Sequence, residues 1–273
     1  MKIDKIISAL GLEPPSKYQQ ILGGEDSSVW KIETSGSVYA LRILPHHRHV
    51  QFLHEQQIIN YVRGNGLPVP MVYSVLLVDE FSVMLMEWAQ GHTVFQELQE
   101  NPKNAYLLGY EFGRTQALIH HLPCPQTEGK DRDWLTPSSQ SEENIINRID
   151  TVVTPSKKSL LHLDFHPLNV LTDGQKITAV IDWANSTVGD NRFDIARTFS
   201  ILRLEGAKHF ENSSTDFAEF EKGWSEGYKS VSGAISSLEI FYAWAGIRMV
   251  RDLAGRRSDE DLAKINQWVS NWL

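Results

Sequence analysis

Cysteine is nearly missing from this chain of 273 residues, which has a single one, Cys124. One thiol cannot form an intramolecular disulfide, so covalent cross-links within the chain are excluded. Cys124 itself is interpreted as a small core or surface thiol. With 41% hydrophobic and 22% charged residues, the chain has the composition of a globular protein large enough for one big domain or two lobes.

Long uninterrupted apolar runs are also missing. The longest apolar stretch, residues 69–89, is interrupted by Asp79 and Glu80, which excludes it as a membrane span. The first twelve residues form a short amphipathic pattern that lacks the apolar core and small-residue cleavage site of a secretory signal. We therefore expect a cytoplasmic protein without a membrane partner.

Positive charge is in the minority. The chain has 26 lysines and arginines against 34 aspartates and glutamates, a formal net charge of −8. This balance argues against nonspecific nucleic-acid binding, so no nucleic-acid partner is expected. It is compatible with a cationic substrate, but a negative net charge is also the ordinary state of a soluble protein.

The most informative stretch, residues 160–183, begins with the apolar run 160–163, which indicates a buried strand. Pro167 prevents a helix or a regular ladder soon after, so Asp164 is expected on a stiff loop. His162 is expected to tie down this loop through hydrogen bonds.

A hairpin is predicted next. Residues 169–171 and 177–181 are interpreted as its strands, because an Asp-Gly pair between them suits a turn with positive φ. Such a hairpin returns Asp182 to the side of Asn169. Together with Asp164 they form a set of hard oxygen ligands that suits Mg²⁺, with phosphates and water completing the coordination. The stretch therefore predicts a phosphoryl-transfer site.

The same residues resemble a known motif set. His162-x-Asp164-x4-Asn169 has the spacing of the protein-kinase catalytic loop H-R-D-x4-N, and Asp182 stands where that fold has Asp-Phe-Gly. The segment HLDFHPLNVL, followed later by IDW, resembles more closely the aminoglycoside phosphotransferase and choline kinase-like family. The usual motif of that family is H-G-D-x-H-P-x-N-x-L followed by I-D-W/F. The resemblance implies Asp164 as the catalytic base and Mg²⁺ held by Asn169 and Asp182.

This resemblance also implies a fold. We expect an α+β, two-lobed protein-kinase-like fold. Its N-terminal nucleotide-binding lobe, residues 1–90, is an antiparallel sheet plus a helix. Its larger C-terminal lobe, residues 91–273, is mainly helical and carries the catalytic and substrate-binding residues.

A glycine-containing turn between two predicted strands offers a phosphate site. Glycine allows backbone N–H groups to approach a ligand closely, so the turn can cover the phosphates of a nucleotide. It is not a Walker loop, which would lead into a helix with Gly-Lys-Ser/Thr, and a plain hairpin is the alternative. The candidate phosphate-covering residues are Gly23, Gly24, Ser27 and Ser28.

The next predicted strand, residues 38–44, places Ala40 and Arg42 on one face. Ala40 could then lie against the adenine ring of a nucleotide, and Arg42, on the same face, could reach the phosphates. Tyr-Ala-Leu-Arg resembles the kinase pattern V-A-I-K with Arg in place of Lys. Arginine is a forked donor that is not interchangeable with lysine, which leaves open a non-catalytic, kinase-like binding protein.

An inward arginine needs a partner because an unpaired buried charge is costly. Glu55, on a helix predicted over residues 52–63, is at the position of the helix-C glutamate of kinases and is the predicted partner of Arg42. Residues near Glu87 and Ala89 resemble the kinase hinge, whose backbone groups would bind the adenine edge.

Helices are predicted over residues 104–121 and 142–150, with three more in residues 215–273. His120 and His121 are interpreted as caps at the end of the first of these helices. Ser236 and Glu239 offer a capping box for a later helix.

Four further residues receive roles in this lobe. Asp194 is expected to bind backbone N–H groups of the catalytic loop. Asp190 is a candidate contact for a cationic or hydroxyl-rich substrate. Trp224 and Tyr228, four residues apart, are candidates for a sugar or quaternary-ammonium pocket, with a core position as the alternative.

The sequence thus predicts a kinase that moves the γ-phosphoryl of ATP or GTP to a hydroxyl of a small molecule, such as an aminoglycoside or another amino or hydroxyl metabolite. Two alternatives stay open. One is the non-catalytic nucleotide- or metabolite-binding protein. The other is a metal-dependent hydrolase that uses the alternating His162, Asp164 and His166.

Overall fold

The computed structural model describes residues 3–21, 27–125, 133–154, 158–206 and 214–273. The chain divides into two compact units. The first unit consists of Met1–Gly91 and Thr178–Ala184, and the second unit consists of His92–Ile177 and Asn185–Leu273. The short segment Thr178–Ala184 therefore belongs to the first unit although it lies far beyond residue 91 in the chain.

In the described residues, the first unit is an antiparallel sheet with two α-helices. Within the described residues its strand order is β1-β2-β3-β5-β4, so β3 is central and β4 is at an edge. The elements are α1 (Ile3–Ala9), β1 (Lys17–Ile21), β2 (Ser28–Glu33), β3 (Val38–Pro45), α2 (His49–Gly64), β4 (Val72–Val78) and β5 (Phe81–Glu87).

One apolar core holds this sheet to α1. Ile3, Ile6 and Ile7 recur at helical spacing, so they share one face of α1, and all three are buried. They belong to the same core cluster as Leu41 and Ile43 of β3. The core therefore fixes the strand that also presents Arg42.

The second unit is mainly helical. Its helices are α3 (Val94–Glu100), α4 (Ala105–His121), α5 (Gln140–Asp150), α6 (Asn191–Leu204), α7 (Ser214–Ser232), α8 (Glu239–Leu253) and α9 (Asp259–Asn271). Short strands lie between them: β6 (His92–Thr93), β7 (Ser159–Leu161), β8 (Val170–Thr172), β9 (Ile177–Val180), which continues into the first unit, and β10 (Thr187–Gly189). β10 pairs antiparallel with β7, and β6 with β8.

Glycines allow α4 and α7 to pack backbone to backbone. A Cβ atom added at Gly109 or Gly113 of α4 would lie 2.1 or 2.0 Å from a carbonyl oxygen of α7, and the same holds in reverse for Gly223 and Gly227. Such distances are far inside van der Waals contact, so only glycine fits at these positions. The two Gly-x-x-x-Gly spacings thus set how closely the helices approach.

An aromatic cluster fills the core formed by α5, α6, α8 and α9. Phe193 of α6 makes edge contacts with Trp134, Phe241 and Trp244, whose ring centroids lie 4.7–5.0 Å away. This core lies directly behind β7 and the loop that follows it, because Leu161 and Leu163 belong to the same cluster.

The expected N-terminal antiparallel sheet and helical C-terminal portion are confirmed, as are the predicted helices over residues 104–121 and 142–150 and the three in residues 215–273. The capping box at Ser236 is wrong. α8 begins at Glu239 with Leu238 as its N-cap and no side-chain cap, because the chain turns through Ser237 at φ 60° just before it. Cys124 is exposed. Among the described residues, none of the helices combines the length and the hydrophobicity that a bilayer crossing demands.

Candidate active site

Arg42 is the centre of a polar cluster in the first unit. Its Nη1 donates to Glu55 Oε1, which confirms the predicted pairing. Nη2 donates to Asp182 Oδ1 at 3.1 Å, and Nε lies 3.4 Å from Ser27 Oγ. The forked guanidinium therefore contacts two carboxylates at once, which a single lysine ammonium could not do with the same fixed geometry.

Burial and charge act in opposite directions on this cluster. Burial by itself lowers the pKa of Arg42, but the carboxylates of Glu55 and Asp182 outweigh it and raise that pKa. Burial raises the pKa of Glu55, and the attraction of Arg42 only partly offsets it. Both pKa values are raised, which favours the charged form of Arg42 but disfavours that of Glu55, because Glu55 is fully buried and also faces the Asp182 carboxylate.

Asp182 lies in the left-handed backbone region, with φ 62°, where a non-glycine residue is uncommon. Its segment is held by main-chain contacts: Val180 N–H donates to Pro68 O at 2.8 Å, and Thr178 Oγ1 donates to Gln90 O at 2.7 Å. The side chain is 44% exposed. These contacts therefore fix the backbone while the carboxylate stays accessible.

Asp164 and Asn169 meet in the second unit, on the loop between β7 and β8. Asn169 Nδ2 donates to the main-chain oxygen of Asp164 at 3.0 Å and lies 3.1 Å from its Oδ2. Burial alone would raise the pKa of Asp164. His166, whose Nε2 lies 3.6 Å from Asp164 Oδ1, acts together with Arg197 and His162 to lower that pKa to about 2. Asp164 is therefore ionised throughout the physiological pH range.

A fully buried carboxylate holds this loop from behind. Asp194 Oδ1 accepts the N–H of Leu163 at 2.6 Å, and Oδ2 accepts the N–H of His162 at 3.3 Å. Burial would raise the pKa of Asp194, but the hydrogen bond from His120 and the charges around it lower it. The predicted role of Asp194, binding catalytic-loop amides, is confirmed.

His120 is not the helix cap that was expected. It is buried, with Nε2 2.8 Å from Asp194 Oδ2 and Nδ1 2.7 Å from the Tyr228 hydroxyl. Its sequence position at the end of a helix suggested a cap, whereas the fold turns the ring inward. His121 Nδ1 does lie 2.9 Å from Ala117 O, a carbonyl of the last turn.

Sequence reasoning missed a second support of the loop. Trp224 Nε1 donates to Gln116 Oε1 at 2.9 Å, Gln116 Nε2 donates to Thr198 Oγ1 at 2.9 Å, and Thr198 Oγ1 donates to Phe165 O at 2.8 Å. This series of hydrogen bonds connects α7, α4 and α6 to Phe165, the residue after Asp164. The one signal in the sequence was a glutamine in the middle of an otherwise apolar helix surface.

Leu163 has an unusual backbone conformation at a position where the resembled family has glycine. It has φ 59°, in the left-handed region that favours glycine. Its side chain is buried in the aromatic core described above, which compensates for the backbone cost.

Two of the remaining nucleotide-site candidates have clear contacts. Glu87 Oε2 accepts the N–H of Met71 at 3.0 Å and lies 3.6 Å from Arg63 Nη1, so its side chain joins β5 to the start of β4. Ala40 is half-buried on β3, opposite Met86. Ser28 pairs with Ile43 in the sheet, and Ala89 follows the end of β5. The candidates Gly23 and Gly24 lie outside the described residues.

The structure places the three substrate candidates inside the protein. Trp224 and Tyr228 are 6% and 4% exposed, so both are core residues and not the walls of an open pocket. Asp190 caps α6 by accepting the N–H of Arg192 at 3.0 Å, and both of its oxygens pair with the Arg192 guanidinium. Its carboxylate is thus occupied within the chain.

The alternating His162, Asp164 and His166 do not form a metal site. In the described part of the chain, no three histidine, cysteine, aspartate or glutamate side chains are grouped so that they could hold a metal ion. His162 is fully buried, and its Nδ1 accepts the N–H of Asp164 at 3.3 Å. This contact confirms its predicted role as a loop tie.

Known proteins resemble this chain. Hygromycin-B 4-O-kinase of Escherichia coli is 25% identical over 217 residues, which cover 67% of this chain and 62% of that kinase. The chain thus matches less than two thirds of that relative's length.

Solved structures share the fold. Aminoglycoside phosphotransferase APH(4)-Ia has a TM-score of 0.71 at 17% identity, over 99% of this chain and 98% of its own. A putative fructosamine-3-kinase from Haemophilus somnus 129PT has a TM-score of 0.68 at 14% identity, over 99% and 96%. The expected α+β kinase-like fold is thereby confirmed. The family model described as the phosphotransferase enzyme family matches residues 17–231. The chain belongs to the phosphotransferase enzyme family.

Proposed function

We propose that this protein transfers the γ-phosphoryl group of ATP or GTP to a hydroxyl group of a small molecule. The observation that carries the proposal is the Asp164 loop. It holds an ionised carboxylate beside Asn169, on a backbone whose amides are fixed by the buried Asp194. Phosphoryl transfer depends mainly on positioning and on charge neutralisation, which is what such a rigid loop can supply.

Asp164 would orient the acceptor hydroxyl. Because its pKa lies at about 2, it is a weak proton acceptor before bond formation begins. The hydroxyl proton becomes acidic only as its oxygen bonds to phosphorus, so Asp164 would accept the proton late. Meanwhile its negative charge aligns the O–H bond.

Arg42 would hold the nucleotide phosphates. Its pairing with Glu55 fixes the guanidinium, and its Nε contact brings Ser27 to it. Gly23, Gly24, Ser27 and Ser28 would cover the phosphates, Ala40 would lie against the adenine ring, and the backbone near Glu87 and Ala89 would bind its edge.

Asn169 and Asp182 would hold Mg²⁺. The donor set fits: Asn169 engages Asp164 through Nδ2, which leaves Oδ1 available, and Asp182 is partly exposed with one oxygen on Arg42. Amide and carboxylate oxygens are the ligands that Mg²⁺ takes in nucleotide sites. Bound there, the ion would neutralise phosphate charge.

The acceptor class rests on the relatives. Their names include a hygromycin-B kinase, a spectinomycin phosphotransferase and a putative fructosamine kinase, all acting on small hydroxyl compounds. A small-molecule acceptor, a cytoplasmic location and the lack of a nucleic-acid or membrane partner are parts of this proposal.

The experiment is transfer of labelled γ-phosphoryl from ATP and GTP, with Mg²⁺, to a panel of hydroxyl acceptors. Asp164→Asn should reduce transfer by about 10²–10⁴-fold and leave nucleotide binding unchanged. Asp182→Ala should also remove Mg²⁺-dependent nucleotide binding. Asp259→Asn, an exposed aspartate on α9, is the matched control and should leave transfer unchanged.

Full activity of Asp164→Asn would refute the mechanism. Nucleotide binding without turnover for every acceptor would favour the non-catalytic binding protein instead.

A further inference from the structure

Three arginines of the second unit lie together beside the catalytic loop: Arg197 on α6, and Arg248 and Arg251 on α8. We call them the arginine cluster. Each is partly buried, so none is an ordinary surface cation. None of them belongs to a motif singled out in the sequence, and apart from the effect of Arg197 on the pKa of Asp164 the proposed phosphoryl transfer does not use them.

Within the described residues, two carboxylates pair with two of these three cations. Asp252 lies 3.3 Å from Arg197 Nη2 and 4.0 Å from Arg251 Nε, and Glu142 lies 3.5 Å from Arg251 Nη1. Arg248 makes no ion pair with any described carboxylate. Its Nη1 donates instead to the main-chain oxygen of Trp134 at 2.7 Å.

This arrangement is costly for Arg248. Burial lowers its pKa, and repulsion from Arg251 and Arg197 lowers it further, while Asp252 and Glu142 compensate only in part. A guanidinium has five N–H donors, of which the Trp134 carbonyl takes one. Arg197 also has a buried donor, Nη1, for which the described residues provide no acceptor. Arginines whose charge and N–H donors are only partly matched within the chain suit an anion supplied from outside it.

The position of the cluster indicates what that anion belongs to. Arg197 Nε lies 3.4 Å from the carbonyl of Leu163, the residue before Asp164. The charge of Arg197 also reaches the Asp164 carboxylate. The cluster is therefore next to the group that would orient the acceptor hydroxyl.

We propose that the arginine cluster binds a carboxylate or phosphate group of the acceptor, with Arg248 as its principal contact. This inference rests on the proposed function and narrows its acceptor to hydroxyl compounds that carry an anionic group. A polycationic aminoglycoside would meet like charge here, so it is disfavoured as the substrate.

The first test measures anion binding without catalysis. The melting temperature of the ADP-saturated protein is measured against inorganic phosphate, with chloride at equal ionic strength as reference. Phosphate should stabilise the wild-type protein, and its apparent Kd should rise about tenfold or more in Arg248→Gln, because a charged hydrogen-bonded contact is lost. Arg248→Lys should restore part of the effect.

The matched control is Arg257→Gln. Arg257 pairs with Glu205, and like Arg248 it is an arginine of the second unit. It should bind phosphate like wild type. If Arg248→Gln does not fold, Arg251→Gln removes another cation of the cluster and should weaken phosphate binding in the same direction. Equal phosphate binding in wild type and in the cluster variants would overturn the proposal.

The second test uses turnover. Hydroxy acids and sugar phosphates are compared with aminoglycosides as acceptors, and Arg248→Gln should raise KM for an anionic acceptor about tenfold with a smaller change in kcat. Inorganic phosphate should compete with that acceptor. Phosphorylation of an aminoglycoside with the same KM in both proteins would overturn this inference and leave the kinase proposal standing. Absence of nucleotide binding would instead refute the kinase proposal.

Discussion

The two units hold their candidate catalytic groups in different ways. In the first unit, Arg42 is fixed directly by the carboxylates of Glu55 and Asp182. In the second, Asp164 is positioned through its main chain, because Asp194 binds the amides just before it. The buried cation is thus held by opposite charge around it, whereas the Asp164 carboxylate is held by a fixed backbone.

Glu55 and Asp194 show the difference between the two units most clearly. Both are fully buried carboxylates, but the pKa of Glu55 is raised and the pKa of Asp194 is lowered. Both oxygens of Asp194 accept hydrogen bonds. Oε1 of Glu55 accepts from Arg42 and from the N–H of Trp183, but Oε2 accepts no hydrogen bond from the described residues. Burial disfavours the charge in both cases. The donors and charges around Asp194 outweigh it, whereas at Glu55 the Asp182 carboxylate adds to it and Arg42 offsets it only in part.

The largest effect is expected for Asp194→Asn. In either orientation the N–H₂ group of the amide would face a main-chain N–H, of Leu163 or of His162, and in the second orientation His120 would also lose its acceptor. We expect the free energy of unfolding to fall by about 3–5 kcal/mol, with loss of transfer activity. Urea denaturation measures this. Glu260→Gln, an exposed i,i+4 partner of Lys264, should change stability by less than about 0.5 kcal/mol. A stable, active Asp194→Asn would contradict the main-chain role.

Gly113→Ala should come next. The added Cβ would lie 2.0 Å from Trp224 O, so α4 and α7 must move apart, and α4 carries His120 and Gln116 behind the loop. We expect a loss of about 2–3 kcal/mol or more in the second unit. Gly64→Ala, at the end of α2 with open space around it, should be neutral or stabilising. Equal melting temperatures for the two variants would show that the helices do not pack this closely.

Glu55→Gln should cost less than Asp194→Asn. The amide oxygen can still accept from Trp183, and removing the charge also removes its burial penalty, so we expect a loss of about 1–3 kcal/mol. Arg42 would keep only Asp182 as an ionic partner, and nucleotide affinity should fall about tenfold. Calorimetric titration with ATP and Mg²⁺ measures this. An unchanged affinity would mean that Arg42 is fixed by other contacts.

The smallest effect concerns pH. The lowered pKa values of Asp164 and Asp194 stabilise the folded state above the unfolded carboxylate pKa. This stability is lost as pH falls through their folded pKa values, which for Asp164 is about 2. The raised pKa of Glu55 acts oppositely: its contribution is present at low pH and lost as pH rises through the folded pKa.

Stability curves against pH separate these contributions. Glu55→Gln should remove the gain on mild acidification, and Asp194→Asn should make the fall below pH 5 shallower. Parallel curves for wild type and both variants would contradict the assigned directions.

Motif residues could be predicted because chemistry limits both their type and their spacing. Asp164, Asn169, Asp182, Arg42 and Glu55 were all found as candidates in this way, and the Arg42–Glu55 pair forms as expected. Their catalytic roles are still predictions.

Contacts between distant segments could not be read in the same way. A helical pattern tells which face is buried, but not that His120 meets Asp194 or that Gln116 reaches Thr198. The paired Gly-x-x-x-Gly spacings of α4 and α7 were a usable signal for close packing. The positive φ of Leu163 had no such signal in the sequence, because leucine normally avoids the left-handed region.

The assignment of Thr178–Ala184 to the first unit has a consequence for synthesis on the ribosome. The segment that contributes Asp182 to Arg42 is made only after the whole of the second unit's first stretch, His92–Ile177, so the N-terminal unit stays incomplete until then. A gene cut after residue 91 would therefore not yield two self-sufficient halves. Engineered fragments of this protein should include the returning segment as a peptide supplied in trans.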